Sequence, residues 1–323
     1  MNFDYVRLLF ATQVMLYHCG IIQTKFNLFN GQFAVRGFFC LSGFLITQSY
    51  LNSKSFEDYF VKRAARLYPP IVAMVVAMAL LGLQVGSDWR FFRAILGLLS
   101  FHEMSGLPEG GGTSGGFVHG AFWTVVIEFQ FYLYLPFVIM ALRKSERLTL
   151  VFLAVVYFGA HYLPRYLPLN LPWNLQQMIP SFTYRQGIFR YARFFIPGIL
   201  IGYYAPKVYL RREFPLVVVA SALVYWLLAY REGQVLIHVF PFAVMGLVLG
   251  LGRLFSFFGE KSIFGDVSYG VYLYHFPVMA VFLMNGYSLN LVLSWTVVML
   301  TTLLAFLSWN YLEKPILTKV RTR

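Results

Sequence analysis

The sequence is poor in charge. Asp, Glu, Lys and Arg make up 12% of its 323 residues, against ~25% in an ordinary soluble domain. So few charges cannot clothe a water-facing surface, which excludes a simple cytosolic enzyme and a disordered chain. Acidic residues are scarcest, with 13 Asp and Glu against 26 Lys and Arg. Only two cysteines occur, Cys19 and Cys40, both inside apolar runs. Two cysteines define neither a zinc site nor a disulfide framework, so packing is their expected role. No H-E-x-x-H spacing is present, and no metal is expected. The chain shows no internal repeat or low-complexity tail, and no cleavable signal peptide is expected. Its first apolar run opens with Asp4 and Arg7 and has no small-residue cleavage site.

What is present is apolar. Hydrophobic residues make up 59% of the chain and aromatics 19%, and the mean hydropathy is +0.65. A membrane-crossing helix needs ~20 mainly apolar residues. Ten segments qualify: 5–23, 33–51, 67–86, 120–142, 148–163, 189–205, 214–231, 234–251, 264–283 and 289–311. The expected fold is all-α, a polytopic transmembrane helix bundle of about ten spans forming a single domain over 1–323. Segment 91–101 is too short to span and reads as interfacial. The long segment 87–119 carries a Gly-rich run at 109–116, which suits a slack connector or a lid.

The net charge of +13 is therefore read against a membrane, not as a nucleic-acid footprint. With the N-terminus placed inside, 17 of the 26 basic residues fall on the cytoplasmic side and nine outside. That asymmetry predicts cytoplasmic N- and C-termini.

Ionisable residues inside apolar spans are costly and point to function. Arg7 and His18 lie in the first span, 11 residues apart, which puts them on one helix face ~16 Å apart along the axis. Glu128 in the fourth span lies at a depth similar to that of His18. A carboxylate that orients an imidazole is a general-base arrangement, and Tyr132 follows Glu128 at i+4. Ser268, Tyr272 and His275 form one polar stripe on the ninth span. An interhelical hydrogen-bond seam and a substrate site both fit it. Arg63 and Arg66 sit just before the third span and share a face if its helix starts early. Arginine forks match phosphates, and positive-inside anchoring is the plainer alternative. Arg185, Arg190 and Arg193 are the outer exception, suited to an acidic sugar or a lipid-linked phosphate. Trp123, Trp173 and Tyr184 are candidates for stacking on sugar rings. Ser42 lacks the G-x-S-x-G frame of a nucleophile elbow.

Six pieces of sequence together resemble the acyltransferase 3 family of integral-membrane acyltransferases. Arg7 with Tyr17-His18 is similar to its R-x10-H pattern. Phe38-Phe39-Cys40-Leu41-Ser42-Gly43-Phe44-Leu45-Ile46 resembles its FF-x-LSGFLI signature. Arg63-Ala64-Ala65-Arg66, followed by Tyr68-Pro69, fits its R-x-x-R. Trp123, Glu128, Phe131-Tyr132 and Pro136 resemble W-x4-E-x2-FY-x3-P. Ser268-Tyr269 with Tyr272-Leu273-Tyr274-His275 resembles SY-x2-YL-x-H, and Glu313-Lys314-Pro315 closes the series.

The resemblance implies transfer of an acyl group, usually acetyl, from cytoplasmic acetyl-CoA to a hydroxyl of an extracytoplasmic glycan. The expected setting is the bacterial inner membrane. His18 is expected as general base or acyl carrier, with Glu128 holding its tautomer. Arg7, Arg63 and Arg66 are expected to bind the CoA phosphates. Trp123, Tyr132, Ser268, Tyr272, His275, Arg185, Arg190 and Arg193 are expected to face the acceptor. Tyr132, Tyr272 or a backbone amide is expected to stabilise the oxyanion. Many members carry a C-terminal extracytoplasmic hydrolase-like domain, and none is expected here. The expected partners are the lipid bilayer, acetyl-CoA and a glycan acceptor, with no nucleic acid. Oligomeric state is left open by the sequence. A proton-coupled transporter or glycan exporter, using the same buried Arg, His and Glu residues, is the rival reading.

Overall fold

The computed structural model describes residues 2–22, 31–80, 122–166, 188–208, 212–230, 236–259, 262 and 265–321, the side chains at 79–80, 160–166, 188–190, 227–230, 236–237 and 321 excepted. Segment 91–101, the Gly-rich run, Trp173, Tyr184 and Arg185 lie outside the described residues, and so does the Arg190 side chain. Every regular element among the described residues is helical. In order these are α1 (Phe3–His18), α2 (Gly31–Leu51), α3 (Phe56–Leu80), α4 (Phe122–Lys144), α5 (Glu146–Tyr166) and α6 (Ile188–Tyr204). There follow α7 (Phe214–Tyr230), α8 (Leu236–Phe255), α9 (Ser268–Met284), α10 (Leu291–Ser308) and, after a π-helical turn at Trp309–Glu313, α11 (Lys314–Arg321).

A helix stands at each of the ten expected segments. Among the described residues, three stretches are long and apolar enough to cross a membrane: Phe122–Lys144, His238–Phe258 and Leu291–Val320. Phe214–Trp226 and Ser268–Met284 are shorter apolar helices. The outer surfaces are apolar too. Leu148, Val151, Phe152 and Val155 form an i, i+3, i+4, i+7 stripe on α5, each more than half exposed. Leu216, Val219, Leu223 and Trp226, at i, i+3, i+7 and i+10, form a second exposed stripe on α7. In water such stripes would be a liability. Against lipid tails they cost nothing, and they mark this chain as a membrane protein.

Two helix ends differ from the sequence expectation. The helix α3 starts at Phe56, well before the expected 67, because Ser55 caps it: the Asp58 N–H donates to Ser55 Oγ at 3.1 Å. Glu57 and Asp58 fill its positive first turn. Arg63 and Arg66 thus stand on a formed helix. The helix α9 starts at Ser268, not at 264. Gly265 has φ +73°, a left-handed turn that ends helical continuity. A Cβ there would overlap the Trp309 indole, so only glycine fits.

The chain forms two compact units. One comprises Arg36–Tyr59 and Ile127–Phe257, so α5 to α8 with most of α2 and α4. Within it α7 packs along α8, and α6 touches both α5 and α8. The crossing of α2 and α6 is backbone to backbone. A Cβ on Gly43 would overlap the Phe195 carbonyl, and one on Gly198 the Cys40 carbonyl. Such small-residue contacts let helices approach where no hydrophobic force drives them together. Phe131 stacks on Phe195 beside this crossing, ring centroids 3.8 Å apart. The second unit comprises Asn2–Val35, Phe60–Val126 and Phe258–Arg323. There α9 is the centre, packed on α1 and on α10. Of the thirteen positions of α9 from Ser268 to Ala280, all but Tyr269 are buried.

Gly198→Ala is expected to destabilise the protein by about 1–3 kcal/mol, because neither backbone at the crossing can yield. Gly159→Ala on α5 meets nothing within 4 Å and is expected to be neutral or slightly stabilising. Thermal unfolding of the two variants in detergent measures the difference, and equal midpoints would contradict the close crossing.

Candidate active site

The polar groups of the second unit gather at two places along α1 and α9. At the N-terminal end, the Asp266 carboxylate accepts two guanidinium groups on one oxygen. Arg7 Nη1 and Arg66 Nη2 each stand 2.7 Å from Oδ2. Ser268 donates to the other oxygen, Oδ1, at 2.6 Å. Arg66 Nη1 lies 3.8 Å from Glu313 Oε2, and its guanidinium lies over the rings of Tyr269 and Trp309. Glu313 is only 1% exposed. The π-helical turn carries it inward, where Ser308 donates to its Oε1 at 3.1 Å. The Tyr274 hydroxyl in turn lies 2.7 Å from Ser308 Oγ. Burial favours the neutral form of Asp266, which lies two residues before α9 and outside it. Arg66 and Arg7, with the Ser268 hydrogen bond, outweigh that and hold its carboxyl at about 2, below the ordinary 3.8.

The second place is an imidazole pair. His18, the last residue of α1, puts Nδ1 3.0 Å from Nε2 of His275 on α9. The rings are within 9° of parallel, with centroids 5.2 Å apart. That separation exceeds the N···N distance by about two ring radii, so the imidazoles meet edge to edge in nearly one plane. Phe276 packs against both, 4.6 Å from each ring. His275 is fully buried, while His18 is half-buried.

The stripe Ser268, Tyr272, His275 is thus buried, and each member has its own partner. Ser268 serves Asp266, His275 meets His18, and the Tyr272 hydroxyl lies 2.8 Å from Thr124 Oγ1. Trp123 is half-buried beside Thr124 at the start of α4. Arg63 stands on α3 one turn before Arg66, half-buried.

In the first unit Glu128 is anchored separately. Ser42 Oγ donates to its Oε1 at 2.9 Å, and the Tyr132 hydroxyl donates to the same oxygen at 2.6 Å. Arg193 lies over the Phe194 ring, 5.3 Å from its centroid. Arg36 lies over the same ring at 5.7 Å and over Phe240 at 5.2 Å.

The sequence model of the acyltransferase 3 family, described as an acyltransferase domain, matches residues 2–309. The chain belongs to the acyltransferase 3 family. It is an acyltransferase, and the transporter reading falls away. Three named relatives align over almost all of it. "Nodulation protein 10" of Rhizobium leguminosarum bv. viciae is 27% identical, across 99% of this chain and 94% of the relative. The "O-acetyl transferase" of Shigella phage Sf6 is 27% identical, across 98% and 96%. The "Putative peptidoglycan O-acetyltransferase YrhL" of Bacillus subtilis (strain 168) is 26% identical, across 98% of this acyltransferase but 54% of the relative. No solved structure matches.

Sequence reasoning missed Asp266, Thr124 and Ser308, gave Glu313 no role, and set Ser42 aside with the elbow motif. Asp266 had a readable signal. It is an acid in an otherwise apolar stretch of a chain with few acids, so it needs buried cations.

Removing one partner from a buried ion pair costs about 3–5 kcal/mol, because the other charge stays uncompensated. Asp266→Asn is expected to lose stability on that scale. Because its folded value lies below the ordinary one, Asp266 stabilises fully above about pH 4 and loses this as pH falls towards about 2. Unfolding midpoints between about pH 6 and pH 3 are therefore expected to fall more steeply for wild type than for Asp266→Asn. Parallel curves would remove Asp266 from this role.

Proposed function

We propose that this acyltransferase moves an acetyl group from cytoplasmic acetyl-CoA to a hydroxyl of an extracytoplasmic glycan, in the bacterial inner membrane. Ten crossings with both termini in the cytoplasm complete the proposal. The observation that carries it is the His18–His275 pair, buried in an acyltransferase of a family whose named relatives include two O-acetyltransferases. A half-buried imidazole with one nitrogen engaged is the tool that acyl transfer to a hydroxyl requires.

The reaction balances with these groups. His18 Nε2 takes the proton of the acceptor hydroxyl as its oxygen attacks the thioester carbonyl. The C–S bond breaks, and the thiolate of CoA takes the proton back from the imidazolium. The products are the acetyl ester and CoA thiol. In the two-step variant His18 itself carries the acetyl group between donor and acceptor. Glu128, with Oε1 engaged by Ser42 and Tyr132, is proposed as the second catalytic residue. Tyr132 or Tyr272 is a donor for the oxyanion. Arg7, Arg63 and Arg66 are proposed for the CoA phosphates. Arg7 bonds to Asp4 and Asp266 through Nη1, and its Nη2 is proposed for a phosphate. Arg185, Arg190, Arg193 and Trp123 are proposed for the acceptor glycan.

The test is incorporation of label from radiolabelled acetyl-CoA into surface glycan by membrane vesicles carrying the protein. His18→Ala is expected to lower turnover by about 10²–10⁴-fold while the protein stays folded. Turnover at the wild-type rate would sink the mechanism. Arg63→Ala is expected to weaken acetyl-CoA binding by about ten- to a hundredfold, the loss of one charge-assisted hydrogen bond. Unchanged affinity would reject the phosphate role.

A further inference from the structure

We infer that His275 is the positioning residue of the proposed transfer: it fixes the proton of His18 on Nδ1 and leaves Nε2 as a bare, basic nitrogen. The inference deepens the reading above and rests on it for the catalytic consequence, though not for the proton arrangement itself.

The argument starts from an atom that can only accept. His275 Nδ1 lies 3.2 Å from the backbone carbonyl oxygen of Val271. A carbonyl has no proton to give, so Nδ1 of His275 carries the N–H. A neutral imidazole carries one N–H only, so Nε2 of His275 is bare. That bare nitrogen is the atom 3.0 Å from His18 Nδ1. A hydrogen bond between two nitrogens needs one proton, and His18 must supply it. Nδ1 of His18 is therefore the protonated nitrogen, and its Nε2 holds the free lone pair. The in-plane, edge-to-edge meeting of the rings aligns the N–H with the lone pair it enters. Contact of both rings with Phe276 limits their rotation.

The burial of the pair agrees with this order. The anchor, His275, is 0% exposed, so its tautomer is set by Val271 and not by water. The base, His18, is half-buried. When His18 Nε2 accepts the acceptor's proton, Nδ1–H stays on the His275 lone pair and the new positive charge is shared. The chain Val271 carbonyl, His275, His18 thereby does for this imidazole what a buried carboxylate does in a Ser-His-Asp triad. A plain packing seam would need neither a fixed direction nor a bare terminal nitrogen.

The test has two arms. The first reads protons directly. In nitrogen-15 NMR of histidine-labelled protein in detergent, His18 Nδ1 is expected to show the shift of a protonated nitrogen and Nε2 that of a bare one. His275→Gln, whose Oε1 can accept from His18, is expected to keep that pattern. His275→Ala is expected to lose it. A wild-type His18 protonated on Nε2 would overturn the inference, whatever the activity. The second arm reads turnover in vesicles with radiolabelled acetyl-CoA. His275→Ala is expected to lower kcat about a hundredfold with KM for acetyl-CoA unchanged, and His275→Gln to recover at least about tenfold of that loss. Wild-type kcat in His275→Ala would also overturn it, as would a Gln variant no better than Ala. If wild-type protein shows the expected tautomer but transfers no label, the proposed function fails and the proton arrangement stands.

Discussion

Asp266 holds together three separate stretches of one unit. Its carboxylate takes Arg7 from α1 and Arg66 from α3 on one oxygen and Ser268 of α9 on the other. In an apolar medium each charge alone would be prohibitive, and the group persists because every member has a partner. The contact also sets register. Arg7 and His18 are the two ends of a helical path along α1, and both meet the stretch from Asp266 to His275. Once Arg7 is tied to Asp266, His18 arrives opposite His275 with no further adjustment. The ion cluster is therefore remote from the imidazoles and still decides where they meet.

The rest of the molecule follows from where polar groups cannot go. Lipid takes the apolar stripes of α5 and α7, so the outer surface supplies no hydrophobic drive between helices. Packing has to come from fit. The Gly43–Gly198 crossing supplies it in one unit through bare backbone, and α9 supplies it in the other by being buried nearly throughout. Polar side chains are left with the interior, where they pair: Glu128 with Ser42 and Tyr132, Tyr272 with Thr124, Tyr274 with Ser308.

Much of this was legible in the sequence, and the limits are physical. Apolar runs marked α1 to α10, because length and hydropathy are local properties. The importance of His18, Glu128, Arg66 and the α9 stripe was readable, since each is an expensive residue in its setting. Their partners were not. Depth along a span says nothing about which helices are neighbours, so the contact of His18 with His275 on α9 left no signal. Ser42 was dismissed for lacking a nucleophile's frame, yet it serves as a hydrogen-bond donor. The early start of α3 lay in a cap, Ser55, that hydropathy does not register. The late start of α9 turned on Gly265, whose positive φ has no signature beyond the residue type.

The charge balance of the Asp266 cluster bears on how a polyanion would be held. Two guanidinium groups, Arg7 and Arg66, stand among three carboxyls, Asp4, Asp266 and Glu313. The cluster carries no surplus of positive charge when all are ionised. Arg66 is moreover enclosed, with both terminal nitrogens directed at carboxylates and aromatic rings against its plane. A phosphate would have to displace Asp266 to reach it, leaving a buried carboxylate uncompensated. Arg66 is therefore first a structural member of the Asp266 cluster, and its proposed part in gripping CoA would come only at the cost of that pairing.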